Sequence, residues 1–223
     1  MRAILFAVLI FFGLFALQWG ATKVHARKNP LPAPAVDAPL ASAAPGQQTA
    51  VLAGGCFWGI QGLFEHVKGV TQVTAGYSGG EAGTARYDLV STGVTGHSES
   101  VKIVYDPSQI SYGQLLMIYF SVGHDPTEFN RQGPDSGPQY RSSIFFATPE
   151  QRRIANAYIA QLNAAKVFSD KIVTDVYPFD AFYPAEAYHQ DYLKRHPRDS
   201  YIVAYDLPKI ESLKKEFPGL YHD

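Results

Sequence analysis

The chain has one cysteine, Cys56, among 223 residues. It can build neither an intramolecular disulfide nor an all-cysteine zinc site. Its seven histidines are scattered, with no HExxH pair, so no metal site is expected. Charged residues make up only 17%, for a net charge of −1. Residues 1–28 carry Arg2, Lys23, Arg27 and Lys28 and no acid, while the rest holds 15 basic and 20 acidic residues. A mildly acidic body is the opposite of a phosphate-binding surface, so no nucleic-acid partner is expected. At 46% hydrophobic residues the chain is neither disordered nor collagen-like, and its length fits one domain with a tail.

The tail comes first. Arg2 precedes an unbroken apolar run from Ala3 to Leu17, and Val24-His25-Ala26 places small residues where a cut after Ala26 needs them. That is the layout of a secretory signal peptide. Extended to Ala21, the run approaches the roughly 20 residues of a spanning helix, so an uncleaved membrane anchor stays open. Residues 1–26 are therefore read as signal peptide or anchor. The body is expected to be exported, either periplasmic or tethered outside the cytoplasm, with membrane contact only through this segment. Residues 27–46 are Pro- and Ala-rich and predict an extended linker. Residues 47–223 form the expected domain.

Within it, Thr49–Ala53 reads as a buried strand, and apolar residues at 57, 60, 63, 64 and 67 give a helix ended by Gly69. Val70–Tyr77, His97–Tyr105, Ser142–Phe146 and Ile172–Val176 read as further strands. Helices are expected over Ser111–Val122, from a Thr148 capping box to Lys166, over Pro184–Arg195 and over Pro208–Phe217, with one turn near Tyr87. His124–Gln139 is a polar loop, long enough to suggest a functional role. The mixed order predicts an α+β fold, a two-layer sandwich of one mixed sheet with helices packed on it.

Cys56 follows Gly54-Gly55 between a strand and a helix. At a helix N-terminus the partial positive charge favours thiolate over thiol. Small buried packing is the alternative. Phe57 fits the helix stripe, whereas Trp58 falls off it and should face the loop side.

The run Gly54-Gly55-Cys56-Phe57-Trp58-Gly59 resembles the signature of the A-type peptide methionine sulfoxide reductases, which reduce the S epimer. Gly76–Gly80, Gly96-His97-Ser98-Glu99, His124–Thr127 with Asn130–Gly133, Asp135 with Gln139–Ser142, and Phe182-Tyr183, Ala185-Glu186 and Tyr188-His189-Gln190 resemble further motifs of that family in the same order. The resemblance implies a ferredoxin-like core with extensions and assigns the site. Cys56 is the nucleophile, and Glu99 is the acid that protonates the sulfoxide oxygen. Tyr87 and Tyr140 are hydrogen-bond donors to that oxygen. Asp135 is a further carboxylate of the site that binds substrate with Tyr140. Phe57 and Trp58 form the methyl pocket. A neutral Glu99 would be needed, and a Cys56 thiolate beside it would help to raise its pKa.

Relatives often carry a second cysteine that resolves the sulfenic acid. This chain resembles the single-cysteine members, so an external thiol is implied, namely thioredoxin, a glutaredoxin or glutathione, with no bound cofactor. The implied substrate is methionine S-sulfoxide, free or in oxidised proteins, and the expected state is a monomer. Met117 is the only methionine after the first residue, which suits an enzyme of oxidative repair. Ala85, Glu128 and Pro138 depart from the family's usual proline, glutamine and threonine. Two other readings remain at this point. One is a Cys-His hydrolase using Cys56 with His97 or His189. The other is an inactive module that grips Met side chains through Phe57 and Trp58.

Overall fold

The computed structural model describes residues 31–41 and 46–223; the expected leader lies outside them. In chain order the first elements are β1 (Gln48–Ala53), α1 (Phe57–Glu65), β2 (Val70–Ser78), α2 (Tyr87–Val90), β3 (Ser98–Tyr105) and α3 (Tyr112–Ile118). They are followed by β4 (Arg131–Gln132), β5 (Asp135–Ser136), β6 (Ser143–Phe146), α4 (Pro149–Ala164), β7 (Asp175–Pro178), β8 (Tyr183–Pro184), α5 (Tyr192–Arg195) and α6 (Leu207–Glu216). The main sheet has the order β7-β6-β1-β3-β2-β8. Only the β6–β7 pair is parallel, so the sheet is mixed, as the element order predicts. β4 and β5 form a separate small hairpin inside the long loop.

The period-two pattern of β1 decides which face is which. Ala50 and Leu52 join the main core with Phe57, Ile60, Leu63 and Phe64 of α1 and Leu115 and Leu116 of α3. Val51 and Ala53 point to the other face, where Phe145, Phe179 and Phe182 cover them. β1 is held between β3 (Leu52 opposite Val101) and β6 (Leu52 opposite Ile144), so its carboxyl end is fixed from both sides.

Three elements differ from the sequence pattern for identifiable reasons. The helix expected over 111–122 starts as read, with a complete Ser111/Gln114 capping box. After Ile118 it widens into a π turn, Tyr119–Gly123, a feature frequent at functional sites. The strand expected at Ile172–Val176 lies at Asp175–Pro178 instead, because Ile172 is drawn into the core and its N–H is held by Asn163. The helix expected over Pro184–Arg195 forms only from Tyr192. Its first half is spent on tertiary bonds: Glu186 binds the Tyr77 hydroxyl and the Tyr87 N–H, and Gln190 binds both backbone groups of Ala75. Asp191 then takes a left-handed conformation (φ 52°), which interrupts helical geometry. At α4, Thr148 caps as expected, but the Gln151 carboxamide binds Ala147 N–H and Thr49 O rather than closing the box.

Residues 31–41, assigned by composition to the linker, run across the domain as a strap. Leu31 is buried, Tyr158 donates to Pro32 O, and Gln161 brackets Ala33 O and Ala35 N–H. The Asp37 carboxylate sits at the start of α3, accepting from the Ser111 hydroxyl and from Gly113 N–H at 2.8 Å. It thereby satisfies an orphan donor and meets the positive end of the helix. Composition hides this, because a few apolar side chains (Leu31, with Val36 and Ala38 at the edge of the core), one carboxylate and some backbone groups suffice to dock an extended segment. The folded unit therefore begins upstream of Gln47. Asp37→Ala should lower stability by about 1–3 kcal/mol through the unpaired donors it leaves, measured by urea unfolding, with sulfoxide reduction unchanged below the transition.

Candidate active site

The site is assembled at the carboxyl end of β1. The Tyr119 hydroxyl, placed by the π turn, donates to Ala53 O at 2.6 Å. Gly55 then takes φ 90°, and a Cβ there would lie 2.6 Å from Gln132 Cγ. Both the backbone angle and the close approach require glycine. Gln132 in turn holds the long loop: its Oε1 accepts Asp125 N–H, and its Nε2 donates to Glu128. Glu128, one of the departures from the family pattern, also accepts Gly133 N–H at 2.7 Å, so its carboxylate organises the β4–β5 turn that presents Asp135.

Cys56 is the residue before α1 and is half-buried. Its thiol is pushed well above the ordinary value, by burial first, then by Glu99 and Asp206; the Trp58 backbone N–H pulls the other way without prevailing. The expected resting thiolate is therefore not what the structure gives. A helix start supplies only a partial charge, and here dehydration and two carboxyl groups outweigh it.

Glu99 is 2% exposed and lies opposite Tyr77 in the β2–β3 register. Its Oε2 accepts Phe57 N–H at 3.0 Å, taking one of the unpaired donors at the start of α1. Burial raises its pKa to about 8, the Phe57 bond lowers it and Asp135 adds to the rise. The carboxyl is thus neutral at pH 7, and burial keeps it so without a Cys56 thiolate.

Tyr87 and Tyr140 converge on the same place from two segments. Both hydroxyls feel Glu99, Cys56 and Asp135, and burial, the largest cause, drives both upward, so they are neutral donors. Tyr87 is fixed by its N–H to Glu186 at 2.9 Å. Tyr140 is fixed by its neighbour Arg141, whose guanidinium donates to the carbonyls of Gly96, His97 and Pro138. Asp135 accepts from the Tyr201 hydroxyl. Phe57 is buried beneath the half-exposed Trp58. Glu99, Asp135, Tyr87 and Tyr140 thus lie within electrostatic reach of Cys56, beside Phe57 and Trp58.

The roles of others were not legible, among them that of Glu186, which lies in a motif marked in the sequence. Tyr192 stacks on Trp58 at 3.8 Å, and Tyr201 meets its edge at 6.1 Å. Glu186 ties Tyr77 to Tyr87. Asp206, fully buried, pairs with Lys209 at 2.7 Å against Gly59. Their local sequence shows no periodic signal, since their roles depend on segments far apart in the chain. His97 accepts Gly80 N–H on Nδ1 and donates from Nε2 to Glu81 O, so neither nitrogen is available as a base for Cys56. His124 is equally occupied, by Tyr119 O and Ser142, and burial lowers its pKa to about 4. No cluster that could hold a metal ion occurs among the described residues.

A family model described as "Peptide methionine sulfoxide reductase" matches residues 48–219. The chain belongs to this family, in its A type. It is similar to peptide methionine sulfoxide reductase MsrA 2 of Synechocystis, 51% identical over 91% of this chain and 95% of the relative. It is also similar to MsrA 2 of Mesorhizobium japonicum, 56% identical over 81% and 93%. Among solved structures, reduced Mxr1 of Saccharomyces cerevisiae aligns with a TM-score of 0.62 at 31% identity, covering 68% of this chain and 87% of that one. Methionine sulfoxide reductase A of Corynebacterium diphtheriae aligns at 0.59 and 34%, covering 79% and 90%. The reductase acts on the S epimer of methionine sulfoxide and serves protein repair.

Folded Glu99 keeps its proton up to about pH 8, whereas in the unfolded chain it releases it near 4.5. Across that window the folded state binds more protons, so this group's contribution lowers stability as pH rises. Glu99→Gln should therefore gain stability relative to the unsubstituted chain between pH 5 and 8.5, read by denaturant titrations at both ends.

Proposed function

We propose that Cys56 attacks the sulfur of methionine S-sulfoxide and ends as the sulfenic acid, with Glu99 as the proton carrier and Tyr87 and Tyr140 as donors to the oxygen. The observation that carries this is the buried, neutral Glu99 carboxyl bonded at 3.0 Å to the backbone N–H that follows Cys56. Sulfoxide oxygen leaves poorly until it is protonated, and a neutral carboxyl next to the thiol supplies that proton. The Cys56 sulfur bonds to the sulfoxide sulfur as the Glu99 proton goes to the oxygen and the thiol proton returns to Glu99. The hydroxyl then passes from the methionine sulfur to the Cys56 sulfur as the S–S and methionine S–O bonds break, so that Cys56 is left as a sulfenic acid and methionine departs. The methionine sulfur gains two electrons and Cys56 loses two. Because thiol and acid both start neutral, the step needs no net proton from solvent. Trp58, backed by Phe57 and Tyr192, gives the methyl group an apolar wall.

One cysteine in the chain leaves no internal thiol to attack the sulfenic acid. An external thiol then forms a mixed disulfide and releases water, and a second thiol frees Cys56. Glutathione, a glutaredoxin or a thioredoxin-type protein fits this chemistry, and no bound cofactor is called for. The substrate is methionine S-sulfoxide, free or exposed in oxidised proteins. We place the enzyme outside the cytoplasm, periplasmic or tethered, on the strength of Arg2, the apolar run to Leu17 and the small residues Val24 and Ala26.

Mixing the full chain with excess S-sulfoxide and no reductant should yield about one methionine per enzyme and a trappable sulfenic acid at Cys56. Cys56→Ser should form none, and Glu99→Gln should slow this step by about 10²–10⁴-fold. No methionine from the unsubstituted chain, or undiminished turnover by Cys56→Ser, would overturn the assignment.

A further inference from the structure

The reaction gives His189 no chemical step, yet its ring lies at the centre of the site's aromatic groups. It is 2% exposed. Its Nδ1 accepts the Trp58 indole N–H at 3.1 Å. An accepting Nδ1 carries no proton, so the neutral ring bears its hydrogen on Nε2, and that nitrogen is buried without a partner. Burial lowers the ring's proton affinity, outweighing the opposing pull of Glu186, so the neutral form is the one present. Phenylalanine would fill the same space and strand no donor. What histidine adds is the acceptor that faces Trp58, and an orphaned Nε2–H is its cost.

The geometry shows what that acceptor controls. Trp58 lies flat on Tyr192, with rings 3.8 Å apart and 10° from parallel. Stacking fixes the plane of the indole but leaves it able to slide within that plane; the bond to His189 removes this freedom. The same histidine ring lies 5.0 Å from Phe57 and 4.4 Å from Tyr87, centre to centre. Its backbone is anchored, with His189 N–H on Glu186 O at 2.9 Å and its neighbour Gln190 bound to Ala75 of β2. His189 therefore links the apolar wall to the oxygen-binding tyrosine from a fixed point on the sheet.

We propose that His189 is a positioning residue: its unprotonated Nδ1 sets the indole of Trp58, and its ring spaces Phe57 and Tyr87, so that methyl pocket and oxygen donor engage one sulfoxide together. This rests on the reading that Trp58 and Tyr87 face the substrate.

The test uses the full chain carrying Trp19→Phe, which leaves Trp58 as the one indole. His189→Phe keeps a ring and removes the acceptor; His189→Asn keeps an acceptor close to the Nδ1 position. Steady-state reduction of free methionine S-sulfoxide is followed with dithiothreitol as the thiol. His189→Phe should raise KM about tenfold with a smaller change in kcat, and shift Trp58 fluorescence; His189→Asn should return KM to within about threefold. Hydrogen exchange of the indole proton in the otherwise unsubstituted chain should be slowed at least about tenfold against free tryptophan, a reading that needs no histidine variant to fold. Unchanged KM and fluorescence in His189→Phe would overturn the proposal. So would equal defects in the two variants at unchanged Tm, or an indole proton exchanging at the free rate. Absence of methionine formation in the parent chain would instead strike the reductase reading beneath it.

Discussion

The site is organised by one buried hydrogen bond, from Phe57 N–H to the Glu99 carboxyl. It joins the start of α1 to the middle of the sheet, and it joins the segment that carries Cys56 to the strand that carries Glu99. A carboxyl taken this far from water must be neutral or carry a large penalty. A single backbone donor is too little to hold it ionised against that loss of hydration, and the outcome is a protonated acid at neutral pH. The fold that buries Glu99 therefore also sets its protonation state. β3 must be central for Glu99 to be buried, and β1 must end beside it for Cys56 to be in reach.

A second layer keeps this arrangement in register. The π turn at Tyr119–Gly123 sends a hydroxyl to the end of β1, Gln132 packs on Gly55, and Arg141 gathers three carbonyls around the Tyr140 turn. None of these groups carries out chemistry. Each spends a polar side chain on backbone atoms of another segment, and so gives fixed geometry to loops that have little secondary structure of their own. The long loop from His124 to Gln139 is ordered in this way, by a short hairpin and the Glu128 carboxylate rather than by an apolar core.

The parts that could be read from sequence are those where local pattern and tertiary role agree. The β1 run, the α1 stripe and the alternation of Val101, Ile103 and Tyr105 each describe a face that is in fact buried. The ordered motifs marked Cys56, Glu99, Tyr87, Tyr140 and Asp135, which converge on one place. The failures share a cause. Residues 185–191 have helix-like composition, but Glu186 and Gln190 gain more by binding β2 and Tyr87. Residues 31–41 look like linker but dock through Leu31, Asp37 and backbone atoms. The thiolate expectation considered the helix end alone and omitted the carboxyl groups and dehydration that the folded chain brings to it. Tyr192, Tyr201 and Asp206 carry no local signature, because what they touch is distant in sequence.

The protonated state of Cys56 has a meaning beyond the reaction it performs. Peroxides and alkylating agents attack thiolates, and their rates follow the fraction of sulfur that has lost its proton. A thiol held above its ordinary pKa offers such reagents little to attack. In the proposed mechanism a sulfoxide is different, because it docks against Trp58 and brings its oxygen to Glu99, and so meets a route by which the thiol proton can leave. The same burial that makes the sulfur unreactive toward the cause of oxidative damage leaves it competent toward the product. For an enzyme with a single thiol to risk, that selectivity between oxidants protects the repair function itself.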